Sequence, residues 1–260
     1  MATSGRDFAV DYSAATSLAL ELDFDSLHPR HFGAPAASST PFRAGSFEGE
    51  VVLGASCNCR SITLIPHCNG THTESVSHLT LQQVPLHRFV PLAPIPALLL
   101  SVRPRAAEDS GDDTDPPPQR SDSLLERHDL LAAWLPHASF PARALLLRTG
   151  ADIQNTNPPY LSRQFARELV TRGIEHLVVD LPSVDRSQDE GRLTAHRIFF
   201  GLPPDSTDRD LATRATCTIT EFAHFPAALR DGPCALQLQI PAFTGDAVPS
   251  RPLHLPLVSS

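Results

Sequence analysis

In the second half of the chain, short apolar runs alternate with an amphipathic one. Residues 144–148 (Ala-Leu-Leu-Leu-Arg) and 175–180 (Glu-His-Leu-Val-Val-Asp) are short runs rich in branched apolar residues and read as buried strands. Between them Leu161, Phe165 and Leu169 recur at helical spacing. That spacing predicts a helix over 158–171, with Gly173 behind it as a stop. Strand, helix and strand in so few residues favour a parallel pair. A short helix is expected over 193–200, and strands over 217–222 and 235–240.

The first half is less regular. Ser17-Leu18-Ala19-Leu20-Glu21-Leu22-Asp23-Phe24 alternates and reads as a strand within 8–25. The Pro, Ser and Ala run over 29–41 reads as a loop. Gly45 and Gly54 flank a short strand over 48–53, and another over 61–65 is stopped by Pro66. The stretch 103–122, with Asp112-Asp113-Thr114-Asp115-Pro116-Pro117-Pro118 at its centre, has too little apolar surface to offset its ordering entropy. It is expected to be an exposed, mobile insertion. The fold class is α/β, in the mixed α+β sense.

Composition narrows the chemistry. The 260 residues suffice for one large domain or two small ones, and 41% hydrophobic content excludes whole-chain disorder. The net charge is -8, and every basic residue is Arg. Schiff-base and phosphate-loop lysines are therefore excluded, and nucleic acid is not an expected partner. No run approaches the roughly 20 apolar residues of a membrane span, so no membrane partner is expected. The longest candidate, 90–102, is broken by Pro91, Pro94 and Pro96. Residues 1–8 read as a frayed terminus, and Arg6 and Asp7 interrupt any secretory-type core. A cytoplasmic protein with reduced cysteines is expected. Cys57-Asn58-Cys59 is too closely spaced for a zinc knuckle and has no second pair.

The chemistry is concentrated in His67-Cys68-Asn69-Gly70-Thr71-His72-Thr73-Glu74-Ser75-Val76-Ser77-His78. His72 and Glu74 are two apart, so in an extended chain they leave the same face. An imidazole and a carboxylate on one face begin a divalent metal site. Gly70 allows a tight backbone just before them. His78, four beyond Glu74, reaches the same place if the chain turns. The plainer reading of His-x-Glu is surface polarity, and His87 reads as a loop residue.

These residues resemble the signature of the metal-dependent cyclase family, which includes bacterial kynurenine formamidases: His-x-Gly-Thr-His-x-Asp, then Pro-x-His. Gly70-Thr71-His72 matches, and His78 falls at the final His. Further on, Arg172-Gly173-Ile174, Val179-Asp180, Pro182-Ser183-Val184-Asp185, Leu193-Thr194-Ala195-His196 and Ile219-Thr220-Glu221 resemble the family's later motifs in order. The resemblance covers about residues 8–100 and 130–260. It implies a single swivelling β/β/α cyclase-like domain over 9–260 and a site for one or two metals, zinc with manganese as the alternative. It also implies hydrolysis of an amide or formamide bond in a small-molecule substrate, and a homo-oligomer. Carried over, His72, Glu74, His196 and Glu221 are metal ligands and His78 is the acid/base.

Two positions depart from the signature. Cys68 stands where the first His belongs, with His67 one place out of register, and Glu74 replaces the Asp. Cys68 ligates as a thiolate, or His67 enters through a bulge, or the site has decayed. The spacing from His196 to Glu221 is also long, with 201–215 reading as an inserted loop. Two rival functions follow. One is a metal-free thiol hydrolase with Cys68 as nucleophile and His72 or His78 as base. The other is a non-catalytic domain binding a metabolite or partner. Elsewhere, Asp180 and Asp185 read either as loop caps or as site residues, and Arg148 as an ion pair or a carboxylate binder. His224 reads as surface or site support, and Trp134 and Phe140 as core or ligand pocket.

Overall fold

The computed structural model describes residues 9–258, so the expected frayed segment 1–8 lies outside the described residues. Ten strands form one sheet. In chain order they are β1 (Ala9–Val10), β2 (Thr16–Ser17), β3 (His72–Glu74), β4 (Ile95–Ser101) and β5 (Ala144–Arg148). The rest are β6 (His176–Val179), β7 (Thr218–Glu221), β8 (Gly232–Gln239), β9 (Ala247–Pro249) and β10 (Arg251–Val258). The spatial order is β1-β10-β8-β4-β5-β6-β7-β3-β9, with β2 also pairing β10. The pairs from β4 through β7 are parallel, and the flanking pairs are antiparallel. The helices are α1 (Pro66–Asn69), α2 (Arg127–Trp134), α3 (Arg163–Thr171) and α4 (Thr194–Phe200).

The central strands β4 to β6 are mostly apolar because both their faces are covered. Leu98, Leu100, Leu145, Leu147, Leu177 and Val179 pack with Phe165 and Leu169 of α3 and Phe199 of α4. Their alternates Ala97, Leu99, Ala144, Leu146 and Val178 pack on the other face with Leu18, Leu86, Phe225 and Leu236. This is the expected mixed α+β architecture, and 144–180 forms the expected strand–helix–parallel strand unit.

Several elements differ in extent. The expected helix over 158–171 begins only at Arg163, because Ser162 caps it by accepting from the Phe165 amide at 3.0 Å. Residues 17–24 leave the sheet after β2; only an isolated bridge, Ala19 to Ala223, continues it. The expected loop over 29–41 ends in a strand, Ser38–Pro41, paired with Arg60–Thr63.

The acidic stretch 103–122 is exposed at most positions, yet it is anchored rather than free. Asp112 Oδ2 accepts from the Arg127 amide at 2.7 Å and from Ser162 Oγ at 2.6 Å. Asp113 pairs with Arg163 at 2.8 Å, and buried Asp122 holds Tyr160 and Arg186 at 2.9 and 3.0 Å. Carboxylates here serve the amino ends of α2 and α3, where the helix dipole and unpaired amides attract negative charge. Composition alone cannot show such partners.

Candidate metal centre

One strand pair fixes three of the site's side chains. His72 and Glu74 leave the same face of β3, and the antiparallel register sets Glu221 of β7 directly opposite His72. His72 Nε2 lies 3.6 Å from Glu221 Oε2. On that face α4 brings in His196, whose Nε2 is 2.7 Å from Glu74 Oε1 and 3.6 Å from Glu221 Oε1. All four side chains are buried.

Both imidazoles are oriented from behind. The Nδ1 of His72 donates to the Gly70 carbonyl at 3.1 Å, which turns Nε2 into the site. His196 Nδ1 donates to Asp185 Oδ2 at 2.6 Å, and the same carboxylate accepts the amides of Ala195 and His196 at 2.7 and 3.0 Å. Asp185 therefore both caps α4 and fixes the tautomer of its histidine. The loop carrying it also steadies Glu221, whose Oε1 accepts the Val184 amide at 2.8 Å.

The inward-facing atoms have no ordinary partners. His72 Nε2, both Glu74 carboxylate oxygens and His196 Nε2 are buried without a geometrically sound hydrogen bond, despite the short contacts among them. Buried polar atoms are normally satisfied, so such a group calls for an ion. An imidazole and carboxylate donor set suits a divalent transition metal. The residues present therefore fit the cation that the signature implies.

The sequence expected Cys68 as a further ligand, and the structure does not bring it into a cluster of ligand atoms. Among the described residues, His72, Glu74 and Glu221 bring ligand atoms within 4.8 Å of one another, and so do His67, Glu74 and His78; Cys68 and His196 are in neither group, but His196 still reaches Glu74 at 2.7 Å. The reason is local. Residues 66–69 form a helical turn begun by Pro66, so neighbouring side chains diverge by roughly 100° and two-residue alternation does not apply. His67 Nδ1 lies 3.1 Å from Glu74 Oε2, while its Nε2 contacts Asp246 Oδ2 at 2.7 Å. Cys68 is buried on α1, and burial pushes its thiol up. His78, the expected acid/base, does reach the cluster: its ring centroid is 4.2 Å from that of His67 and 5.5 Å from that of His196, and its Nδ1 is 3.9 Å from Asp246. Asp246 had no signal in the local pattern. It arrives from the loop before β9.

The electrostatics express crowding of like charges. Burial, and then the neighbouring Glu74 carboxylate, raise Glu221 to about 8. Burial and the charge of His67 lower His72 to about 4. Burial alone would raise Glu74 and lower His196, but their mutual attraction holds Glu74 low and His196 high. Burial would likewise lower His67, yet its hydrogen bond to Asp246 and the neighbouring Glu74 carboxylate raise it to about 10. A proton and a cation compete for these same lone pairs.

Other candidates have structural work. Asp180 accepts the Thr149 and Gly150 amides at 2.8 and 2.9 Å, and Arg148 pairs with Asp231 at 2.7 Å. His224 is exposed. Trp134 is core, with Arg172 stacked 4.7 Å from its ring centroid. A cavity of about 710 Å³ is lined by Leu27, His31, Phe32 and Ile153 and by none of the clustered His and Glu residues. The His31 ring packs 5.1 Å from that of Phe222, which in turn lies 6.0 Å from that of His72.

A large mixed sheet with a His/Glu cluster between one strand pair and a helix defines a cyclase-type fold. The chain belongs to the Cyclase family, described as "Putative cyclase", whose model matches residues 16–186. It is similar in fold to a predicted metal-dependent hydrolase from Bacillus stearothermophilus, at 16% identity and TM-score 0.59 over 95% of this chain and 98% of the other. It is also similar to isatin hydrolase A from Labrenzia aggregata, at 16% identity and TM-score 0.58 over 93% of each chain. A novel cyclase gives 13% identity and TM-score 0.60 over 94% of this chain and 89% of the other. A comparison with curated proteins found no match.

Proposed function

We propose that this chain is a metal-dependent hydrolase of a carbon–nitrogen amide bond, with aryl formamides as the substrate class. The observation that carries the reading is the set of buried atoms without a hydrogen-bond partner at His72 Nε2, Glu74 and His196 Nε2. His72, Glu74, His196 and Glu221 hold the cation, zinc in the first instance and manganese as the alternative, and His67 takes the place expected for Cys68. A bound cation of this kind supplies a Lewis acid that polarises a carbonyl and acidifies water.

The chain's own residues do the rest. His78 is 25% exposed, the most accessible of the four site histidines, so it can exchange protons with solvent. Its Nδ1 faces Asp246, which leaves Nε2 to take a proton from the attacking water and return it to the leaving nitrogen. The cavity at Leu27, His31, Phe32 and Ile153, whose lining also carries Glu21, Arg30 and Gln154, is joined to His72 through the Phe222 ring, and it could seat a flat, partly polar aryl group. The likeness to isatin hydrolases, one bound to the product analogue thioisatinate, supports a substrate of that shape. The thiol-hydrolase rival loses support, because a buried cysteine with a raised pKa is not an activated nucleophile.

The test is metal analysis of purified protein together with hydrolysis of formanilides and aryl lactams. The expected result is stoichiometric cation and turnover that chelation abolishes. His78→Ala should keep the cation while turnover falls about 10²–10⁴-fold. Loaded protein that cleaves none of these amides would overturn the activity, and loss of cation in His78→Ala would make His78 a ligand.

A further inference from the structure

We infer that Asp246 is a positioning residue that turns His67 into the site by a long-range contact. The inference rests on the metal-centre reading above. It concerns how His67, on a helical turn, is brought to face Glu74.

The geometry is built from both ends. His67 rides on a helical turn of only four residues, and its ring has two nitrogens to commit. Asp246 Oδ2 takes Nε2 at 2.7 Å. Nδ1 is thereby left facing Glu74 Oε2 at 3.1 Å, within the group that His67, Glu74 and His78 form. Asp246 is itself tied to the strand that carries Glu74. Its carbonyl accepts the Ser75 amide at 3.3 Å, and the next residue, Ala247, pairs with Glu74 in register. The main chain of the residue that aims His67 is thus tied to the strand end that carries Glu74. Its Oδ2 also lies 3.9 Å from His78 Nδ1.

The arrangement repeats one already present. Asp185 holds His196 from one side of Glu74, and Asp246 holds His67 from the other. In both, a carboxylate grips the outer imidazole nitrogen and leaves the inner one to the site, the usual device for orienting a metal-facing histidine. Cys68 lies outside both clusters of ligand atoms, and its carbonyl accepts from the His31 amide at 3.2 Å.

The experiment compares the full-length wild type with Asp246→Ala, Asp246→Asn, His67→Ala, the His67→Ala/Asp246→Ala double variant and Cys68→Ser. Zinc affinity is measured by chelator competition, the visible spectrum by cobalt(II) substitution, and folding by thermal melting. Asp246→Ala should weaken zinc about 10–100-fold and shift the cobalt bands. Asp246→Asn, which can still accept from Nε2, should recover part of the loss. His67→Ala should match Asp246→Ala, the double variant should be no weaker than His67→Ala alone, and Cys68→Ser should bind as wild type does. The positions would then act as one unit. Unchanged affinity and spectrum in Asp246→Ala, additive losses in the double variant, or loss of metal in Cys68→Ser would each overturn the assignment. A wild type that takes up no cation would instead overturn the metal-centre reading beneath it.

Discussion

His176 shows how a single buried residue makes the stability of this fold depend on pH. It lies at the amino end of β6, buried, with Nδ1 2.9 Å from Thr218 Oγ1. Burial lowers its pKa from 6.5 to about 4, with Glu175 opposing and Arg143 assisting. The unfolded chain therefore takes up a proton below pH 6.5 that the folded chain refuses until about pH 4. Its contribution is complete above pH 6.5 and is lost as the pH falls through that window. The stability gap between wild type and His176→Gln should narrow by on the order of 3 kcal/mol between pH 7 and pH 4. Urea titrations at both pH values check this, and a gap independent of pH would show that His176 titrates normally. At the same scale, His67 and Cys68 exchange their expected parts. Alternation correctly placed His72 and Glu74 on one face because β3 is extended. It failed two residues before Gly70 because the chain there is a helical turn.

The elements around the site depend on carboxylates far away in sequence. Glu126, at the N-cap of α2, makes no side-chain cap bond, and Asp112 supplies one from outside by accepting the Arg127 amide. It also braces Ser162, the cap of α3. Asp112→Ala should therefore cost about 1–2 kcal/mol, the range of lost helix caps. That corresponds to a melting point lower by roughly 2–8 °C in a chain of this size. Deleting residues 106–119 should cost more, since Asp113 and its pairing with Arg163 go too. An undiminished melting temperature in the deletion would return the segment to the status of a loose insertion. Gly201 ends α4 at φ 63°, where a Cβ would meet Thr213 Oγ1, so the helix bearing His196 has a fixed stop.

At the scale of the molecule, the candidate site joins pieces that the chain keeps far apart. His67 comes from α1, His72 and Glu74 from β3, His196 from α4, Glu221 from β7 and Asp246 from the loop before β9. A cation held there ties the β7–β3–β9 side of the sheet to the helical layer. It should stabilise the folded state by about 2.7 kcal/mol at 100 times its dissociation constant. Chelation of a metal-bearing sample should lower the melting temperature, and added zinc should restore it; melting unaffected by chelation would mean that the cation does not bridge these elements. The sequence by itself determined the buried central strands, the strand–helix–strand unit and the shared face of His72 and Glu74. Each follows from local periodicity, which a side chain obeys whatever it later meets. It also marked His196, Glu221 and His78, through motifs whose order survives in the chain. Only the tertiary structure decided that His67 enters and Cys68 does not, that Asp185 and Asp246 aim the two flanking histidines, and that the acidic stretch caps helices. These are contacts between residues 11 to 179 positions apart, made by strand register and helix packing. No local pattern encodes them, because the partner that gives each residue its role is absent until the sheet has formed.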